Sequence, residues 1–326
     1  MLQNWLKPVP ASLVEFSETL PNHAFGRNLL FFNKDLPDLR QVKVAVIGLG
    51  EKDANEARQH LYQTVFSFKK NTVADLGNAR KSDPSFLINL IYELIAGKVL
   101  PIIIGSDLDK IAVQFLAYQN TKSLLSAALV DEKPRFLLQN KEKSPETILN
   151  PFFEPRHPML FHFSQIGGQT HSTPLESLRF FEQNNFDFFR LGRARTTMEE
   201  AEPIIRDADM LAFNLAALKQ SEAPGQKNAS PSGFSCEEAC QLARYAGLSD
   251  KLTSFGIYGF HKELDRDGQT AQVVSQMVWY FLDGYFNRKN DYPTSTDGLT
   301  EYIVDFKDHD WSLTFWKSTK SGRWWL

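Results

Sequence analysis

The stretch DMLAFNLAALKQSEAPGQKNASPSG, residues 209–233, decides the architecture. Its first half, MLAFNLAAL, is a short and unbroken apolar run. Runs of this kind form strands buried on both faces in parallel sheets. Its second half gathers Pro, Gly, Ser and Asn, the residues of a loop. The next residues, FSCEEACQLARYAG, open a helix: Ser235 stands at the N-cap and Glu238, three residues on, completes a capping box. Strand, long loop and helix together make one unit of an open α/β sheet. Ligands of such sheets bind outside the carboxyl ends of the strands. The loop from Ala216 onward should therefore border the cleft.

The same unit recurs along the chain. VKVAVIGLG, residues 42–50, reads as the first buried strand, and EARQHLYQTVFSF, 56–68, as a helix with Leu61, Val65 and Phe68 on one face. Gly48 and Gly50 begin a dinucleotide fingerprint, but its third glycine position holds Asp53, so the plainer reading is a tight turn. VADLGN follows at 73–78. Residues 84–98 form a helix with Pro84 in the first turn and Gly97 at the end. Residues 100–104 are a strand and 105–108 a turn, before a helix running to about Gln119. Further strands are read at 126–136, 159–169, 186–195 and 252–260, with helices at 197–205 and 269–286. Residues 1–41, broken by Pro8, Pro10, Pro21 and Pro37, are a lead-in that packs on the main domain, residues 42–290. Residues 291–326 form an aromatic extension. Tyr302, Val304 and Phe306 alternate on one strand, and Trp311, Leu313 and Phe315 on another, flanking KDHD; this predicts a β-hairpin over 301–317.

Composition bounds the function. The chain has 326 residues, a net charge of −3 and 42% apolar residues, so it carries no basic footprint for nucleic acid. No apolar run reaches the roughly 18 residues of a membrane span, and no signal peptide is read at the N-terminus, which points to the cytoplasm. Cys236 and Cys240, spaced i, i+4, read as reduced helix cysteines rather than a metal or redox pair. His157, His162 and His171 cluster in sequence but lack helical metal spacing.

The loop at 209–233 resembles that of the ureohydrolase superfamily (arginase, agmatinase, formiminoglutamase). The family's strand ends D-x-D-x-x-D-P and its loop continues A-P-G and then P-x-G-G-L-T. Here Ala223, Pro224 and Gly225 match A-P-G. Pro231, Gly233, Phe234 and Ser235 fall on the second motif, with Ser232 replacing one glycine. No gap separates the two, so the family's two metal-binding aspartates fall on Asn214 and Ala216, and its third aspartate on Lys219. The family's G-G-D-H, whose His binds a metal, falls on Gly105, Ser106, Asp107 and Leu108. Its D-A-H-x-D falls on Asp131, Glu132, Lys133, Pro134 and Arg135. Its substrate-gripping Glu falls on Gly259, while Asp265, Thr270 and Ala271 match the frame of the next helix. The resemblance spans residues 42–286. It implies a three-layer, arginase-like α/β fold with a central, mostly parallel sheet, to which the C-terminal β-hairpin is added.

Of the ligand positions it implies (108, 131, 133, 135, 214 and 216), only Asp131 keeps a metal-binding side chain. The losses are mutually consistent. Carboxylates about 4 Å apart, without ions between them, repel by about 4 kcal/mol at an effective dielectric near 20, and neutral or basic replacements relieve that. The expectation is a degenerate di-metal site in a protein of binding, regulatory or scaffold role, with no cofactor. Two alternatives stay open: a metal-dependent C–N hydrolase with non-standard ligands, which would need manganese, and a metal-free enzyme reusing the cleft. No catalytic residue is assigned; the cleft candidates are Asp107, Asp131, Lys133, Arg135 and Asn214. Lys133 is expected to pair with Asp131 or Asp107. The partner, a small molecule or a protein, is not identified, and self-association stays open.

Overall fold

Alternating apolar residues on short strands let one sheet serve two cores. In the strand at 44–48, Val44 and Val46 enter one core while Ala45 and Ile47 enter the other, as a period of two requires. The computed structural model describes residues 2–121, 123–137, 142–153, 157–293, 295–306 and 311–326. Its main sheet holds β1 (Leu6–Lys7), β2 (Leu30–Phe31), β3 (Val44–Gly48), β4 (Val73–Ala79), β5 (Leu100–Gly105), β6 (Leu125–Val130), β7 (Leu160–Gly168), β8 (Asp187–Arg190), β9 (Met210–Asn214) and β10 (Ser254–Tyr258). The order is β1-β4-β3-β5-β10-β9-β6-β7-β8, with β2 also on β4. Every pairing is parallel except β1 with β4. The lead-in thus contributes two short strands to the sheet edge.

Helices cover both faces, which makes three layers. One core is closed by α1 (Ala11–Thr19), α2 (Glu51–Gln63) and, further along the chain, by helices that include the one after the long loop. The other is closed by α3 (Pro84–Ala96), α4 (Asp109–Leu116), α5 (Asn150–Phe153) and α6 (Leu175–Gln183). Much of the chain's phenylalanine lies in this second core, where Phe136, Phe153, Phe163, Phe180, Phe181 and Phe186 stack in mutual contact. The remaining helices are α7 (Leu191–Thr196), α8 (Ala201–Arg206), α9 (Cys236–Leu248) and α10 (Gln269–Phe286).

Several elements differ from the sequence reading, and three of the differences have a physical reason. Helix α2 starts straight after Gly50 and stops at Gln63. Glu51 and Asp53 favour its N-terminus through the helix dipole, and Phe66 and Phe68 leave the helix to meet Phe25. Residues 191–196, read as strand, are helical. Arg190, Arg193 and Arg195 offer a strand little to bury, and Arg193 turns to Glu200 instead. In the C-terminal sheet, β11 (Leu299–Asp305) and β12 (Ser312–Ser318) pair antiparallel without a slip, and β13 (Trp324–Trp325) adds a third strand. The KDHD segment, residues 307–310, lies outside the described residues.

The loop that decided the reading is tied down at both ends. Ser235 and Glu238 form the capping box of α9. The Gly225 N–H donates to Thr270 Oγ1 at 2.7 Å, and the Asp265 carboxylate accepts from the N–H groups of Thr270 and Ala271 at the start of α10.

Candidate functional site

The strands β5, β10, β9 and β6 run parallel, so their carboxyl ends share one edge of the sheet. The five candidate residues lie at that edge. Asp131 directly follows β6 and is fully buried. Its carboxylate receives a two-pronged ion pair from Arg135: Nε donates to Oδ2 at 2.6 Å and Nη2 to Oδ1 at 2.7 Å. Asn214, the last residue of β9, donates from Nδ2 to Asp131 Oδ2 at 2.7 Å. Its own Oδ1 accepts the Ala216 N–H at 3.1 Å. Positions 131, 135, 214 and 216 are therefore joined in one hydrogen-bonded cluster. Burial works against the Arg135 charge, but the Asp131 carboxylate, with Glu132 and Glu146 beyond it, outweighs burial and raises its pKa. Burial, and then the Asp131 charge, raise the pKa of Glu132.

The expected Lys133 pairing is corrected. Its ammonium donates to Glu146 Oε1 at 2.7 Å, and its backbone N–H is what approaches Asp131, 3.5 Å from Oδ1. The guanidinium of Arg135 turns back to the buried carboxylate instead. A planar fork with fixed donors matches a carboxylate better than a point charge does.

Beside this cluster opens a cavity of about 700 Å³, a size typical of small-molecule sites. Leu108, Ala112, Val113 and Leu116 make one wall, and Pro145 and Ile148 lie on another part of the lining. Asn214, Ala216 and Gly259 also border it. Asp107 is exposed at the cavity, and its carboxylate has no hydrogen bond among the described residues. Gly259 has φ +87°, and a Cβ there would lie 2.9 Å from Asn214 Oδ1. A glutamate at 259, where the resemblance would place one, would therefore strain the backbone and push on the Asn214 side chain.

Among the lining residues that escaped the sequence reading are Gln226 and His261. Gln226 is 5% exposed. Its Nε2 donates to the Ala223 carbonyl, while its Oε1 has no partner among the described residues. His261 is also buried at the cavity. Burial, then Lys227, lower its pKa below the ordinary 6.5, against the pull of Asp53, Glu263 and Asp107. The signal for both was position alone: Gln226 follows the Ala-Pro-Gly turn and His261 follows the end of β10. Because the folded His261 binds its proton less readily than the unfolded one, stability is present above the unfolded pKa and is lost as pH falls below about 6.5. His261→Gln should flatten the fall in melting temperature between pH 7 and pH 5; an unchanged slope would contradict this.

The histidine cluster does not assemble. His162 sits near the start of β7 and pairs with Asp187 at 2.9 Å. His157 meets Gln119 at 3.2 Å. His171 lies past the carboxyl end of the same strand, exposed. Cys236 and Cys240 are free thiols, the first half-buried and the second buried. Among the described residues, no group of three or more His, Cys, Asp or Glu could hold a metal ion, and no helix is long and apolar enough to cross a membrane.

The sequence matches no protein-family model and no curated protein sequence. Solved structures do match. Formiminoglutamase of Trypanosoma cruzi with manganese gives a TM-score of 0.67 at 14% identity, covering 78% of this chain and 96% of that one. Formimidoylglutamase of Bacillus subtilis gives 0.66 at 16% identity, covering 77% and 90%. Agmatine ureohydrolase of Thermoplasma volcanium gives 0.61 at 15% identity, covering 77% and 92%. At these identities the likeness speaks to fold. The chain has the fold of the arginase, agmatinase and formiminoglutamase superfamily, without an intact metal-binding cluster among its described residues.

Proposed function

We propose that this chain is a ureohydrolase-fold protein whose di-metal site has degenerated, inactive as a ureohydrolase and acting in binding, regulation or as a scaffold. The observation that carries this reading is the engagement of both Asp131 oxygens by Arg135 and Asn214. Hard divalent cations need several oxygen or nitrogen ligands at once. Here the one carboxylate at the implied positions is already satisfied by a guanidinium and an amide. Leu108 and Ala216 offer no donor, and Arg135 would repel a cation. The donor set does not fit manganese.

A metal-free enzyme reusing the cleft would need a free cation to hold an anionic substrate. Lys133 and Arg135 were the candidates, and Glu146 and Asp131 engage them. That weighs against those two residues in this role, while Lys143 and Lys227 line the cavity with no ion pair among the described residues, so this alternative keeps candidates of its own. The cavity, with mainly apolar walls and a buried amide oxygen at Gln226 that has no partner among the described residues, supports binding. A thermal-shift panel of guanidino, imino and carboxylate compounds tests it. A ligand at a hundred times its Kd stabilises by about 2.7 kcal/mol. The expected result is a raised melting temperature with at least one compound, independent of manganese and without turnover. A shift seen only with manganese, or released urea or formamide, would contradict the reading.

A further inference from the structure

The cavity beside the Asp131 cluster has a polar end and an apolar flank. Backbone hydrogen bonds set the polar end. The His261 N–H donates to the Gly225 carbonyl at 2.8 Å, which brings Gln226 and Lys227 to the end of β10. The Gly259 N–H donates to the Gly105 carbonyl at 3.1 Å, which brings Asp107 to the same place. From there α4 leads away. Leu108 at its N-cap, Ala112 and Leu116 follow one another four residues apart, and such residues share a helix face. All three line the cavity and are half-buried. At 1.5 Å per residue their stripe is about 12 Å long. Ile148 and Pro151 add apolar surface from α5 and the turn before it.

Charge at the cavity is unbalanced. Lys143 and Lys227 are exposed in its lining and have no ion pair among the described residues. Asp107 is the lining carboxylate without a partner among those residues, because Asp109 meets Lys110 at 2.9 Å. His261 is neutral at neutral pH, since burial and then Lys227 lower its pKa. Two positive charges thus face one negative charge, and a ligand with a single negative charge neutralises the excess.

We propose that the cavity takes an unbranched medium-chain monocarboxylate, its carboxylate drawn by Lys143 and Lys227 and its hydrocarbon laid along the α4 stripe. The proposal rests on the binding reading above and names the ligand class for it. The same charges disfavour the rivals. A guanidinium or amine would meet an excess of its own sign. A phosphate monoester carries about −1.5 to −2 at pH 7, more than the excess it would meet. A short polar acid would leave the stripe in water. Burial of each methylene tightens binding about fourfold, so the stripe makes affinity depend on chain length.

Isothermal titration calorimetry of the full chain with butanoate, hexanoate and octanoate at neutral pH tests this. Affinity should rise about fourfold per methylene along the series. Octanamide keeps the chain and lacks the charge, and should bind at least tenfold more weakly than octanoate. Lys143→Met with Lys227→Met should remove that preference and leave octanamide unchanged; both lysines are exposed, so folding is spared. Leu116→Gln should weaken octanoate and spare butanoate. Butanoate as tight as octanoate, octanamide matching octanoate, or a preference that survives the double substitution would each overturn the proposal. Octanoate that does not bind also overturns it; the binding reading survives when another compound of the thermal-shift panel raises the melting temperature, and falls when none does. Manganese-dependent turnover overturns that reading and this inference with it.

Discussion

Replacing Arg135 with alanine should cost about 3–5 kcal/mol of folding stability. The reason is the carboxylate it leaves behind. Asp131 is 0% exposed, and without Arg135 its charge keeps one strong donor, the Asn214 amide. The pair itself is a different matter, because removing both charges also removes the desolvation cost of each. Asp131→Leu with Arg135→Met should therefore recover most of the loss, since apolar replacement of a buried pair is often neutral or stabilising. Urea titration of the single and double variants reads both. A single variant within about 1 kcal/mol of wild type would show that Asp131 is not confined as the structure has it.

Gly247→Ala should be nearly as damaging, against its helical propensity. In an open helix this change gains about 1 kcal/mol. Here α9 and α10 cross backbone to backbone. A Cβ on Gly247 would lie 2.1 Å from the Phe281 carbonyl oxygen, and one on Gly284 would lie 2.2 Å from the Arg244 carbonyl oxygen. Neither obstacle is a side chain that could turn aside. The helices must part, and overpacking of this kind costs roughly 2–3 kcal/mol. The two glycines share one contact, so Gly247→Ala and Gly284→Ala should not add. A melting temperature at or above wild type for Gly247→Ala would refute this packing.

Much of the fold was legible because its signals are local. Near-continuous apolar runs such as Val44–Gly48 and Met210–Asn214 can be satisfied as strands covered on both sides. Ser235 and Glu238 announce their helix with two side chains three residues apart. Strand β13 is only two residues long, too short for any period to show. The helix at 191–196 follows its strand without a glycine or proline stop between them, so the boundary had no local mark.

At the cleft, residue types were legible and partners were not. Leu108, Lys133, Arg135, Asn214 and Ala216 state in sequence that metal ligands are missing. Which cation meets Asp131 depends on how the chain leaves β6, and that path is set by tertiary packing. Lys133 went outward to Glu146 and Arg135 inward. Gln226 and His261 reach the cavity from segments far apart in sequence, and no periodicity could announce them.

The most direct measurement is the manganese content of the full chain by elemental analysis, after incubation with excess manganese and desalting. The degenerate cleft predicts far less than one ion per chain, with no urea released from arginine or agmatine and no formamide from formiminoglutamate. About two ions per chain, as in a working two-metal site, with hydrolysis abolished by a chelator, would contradict it.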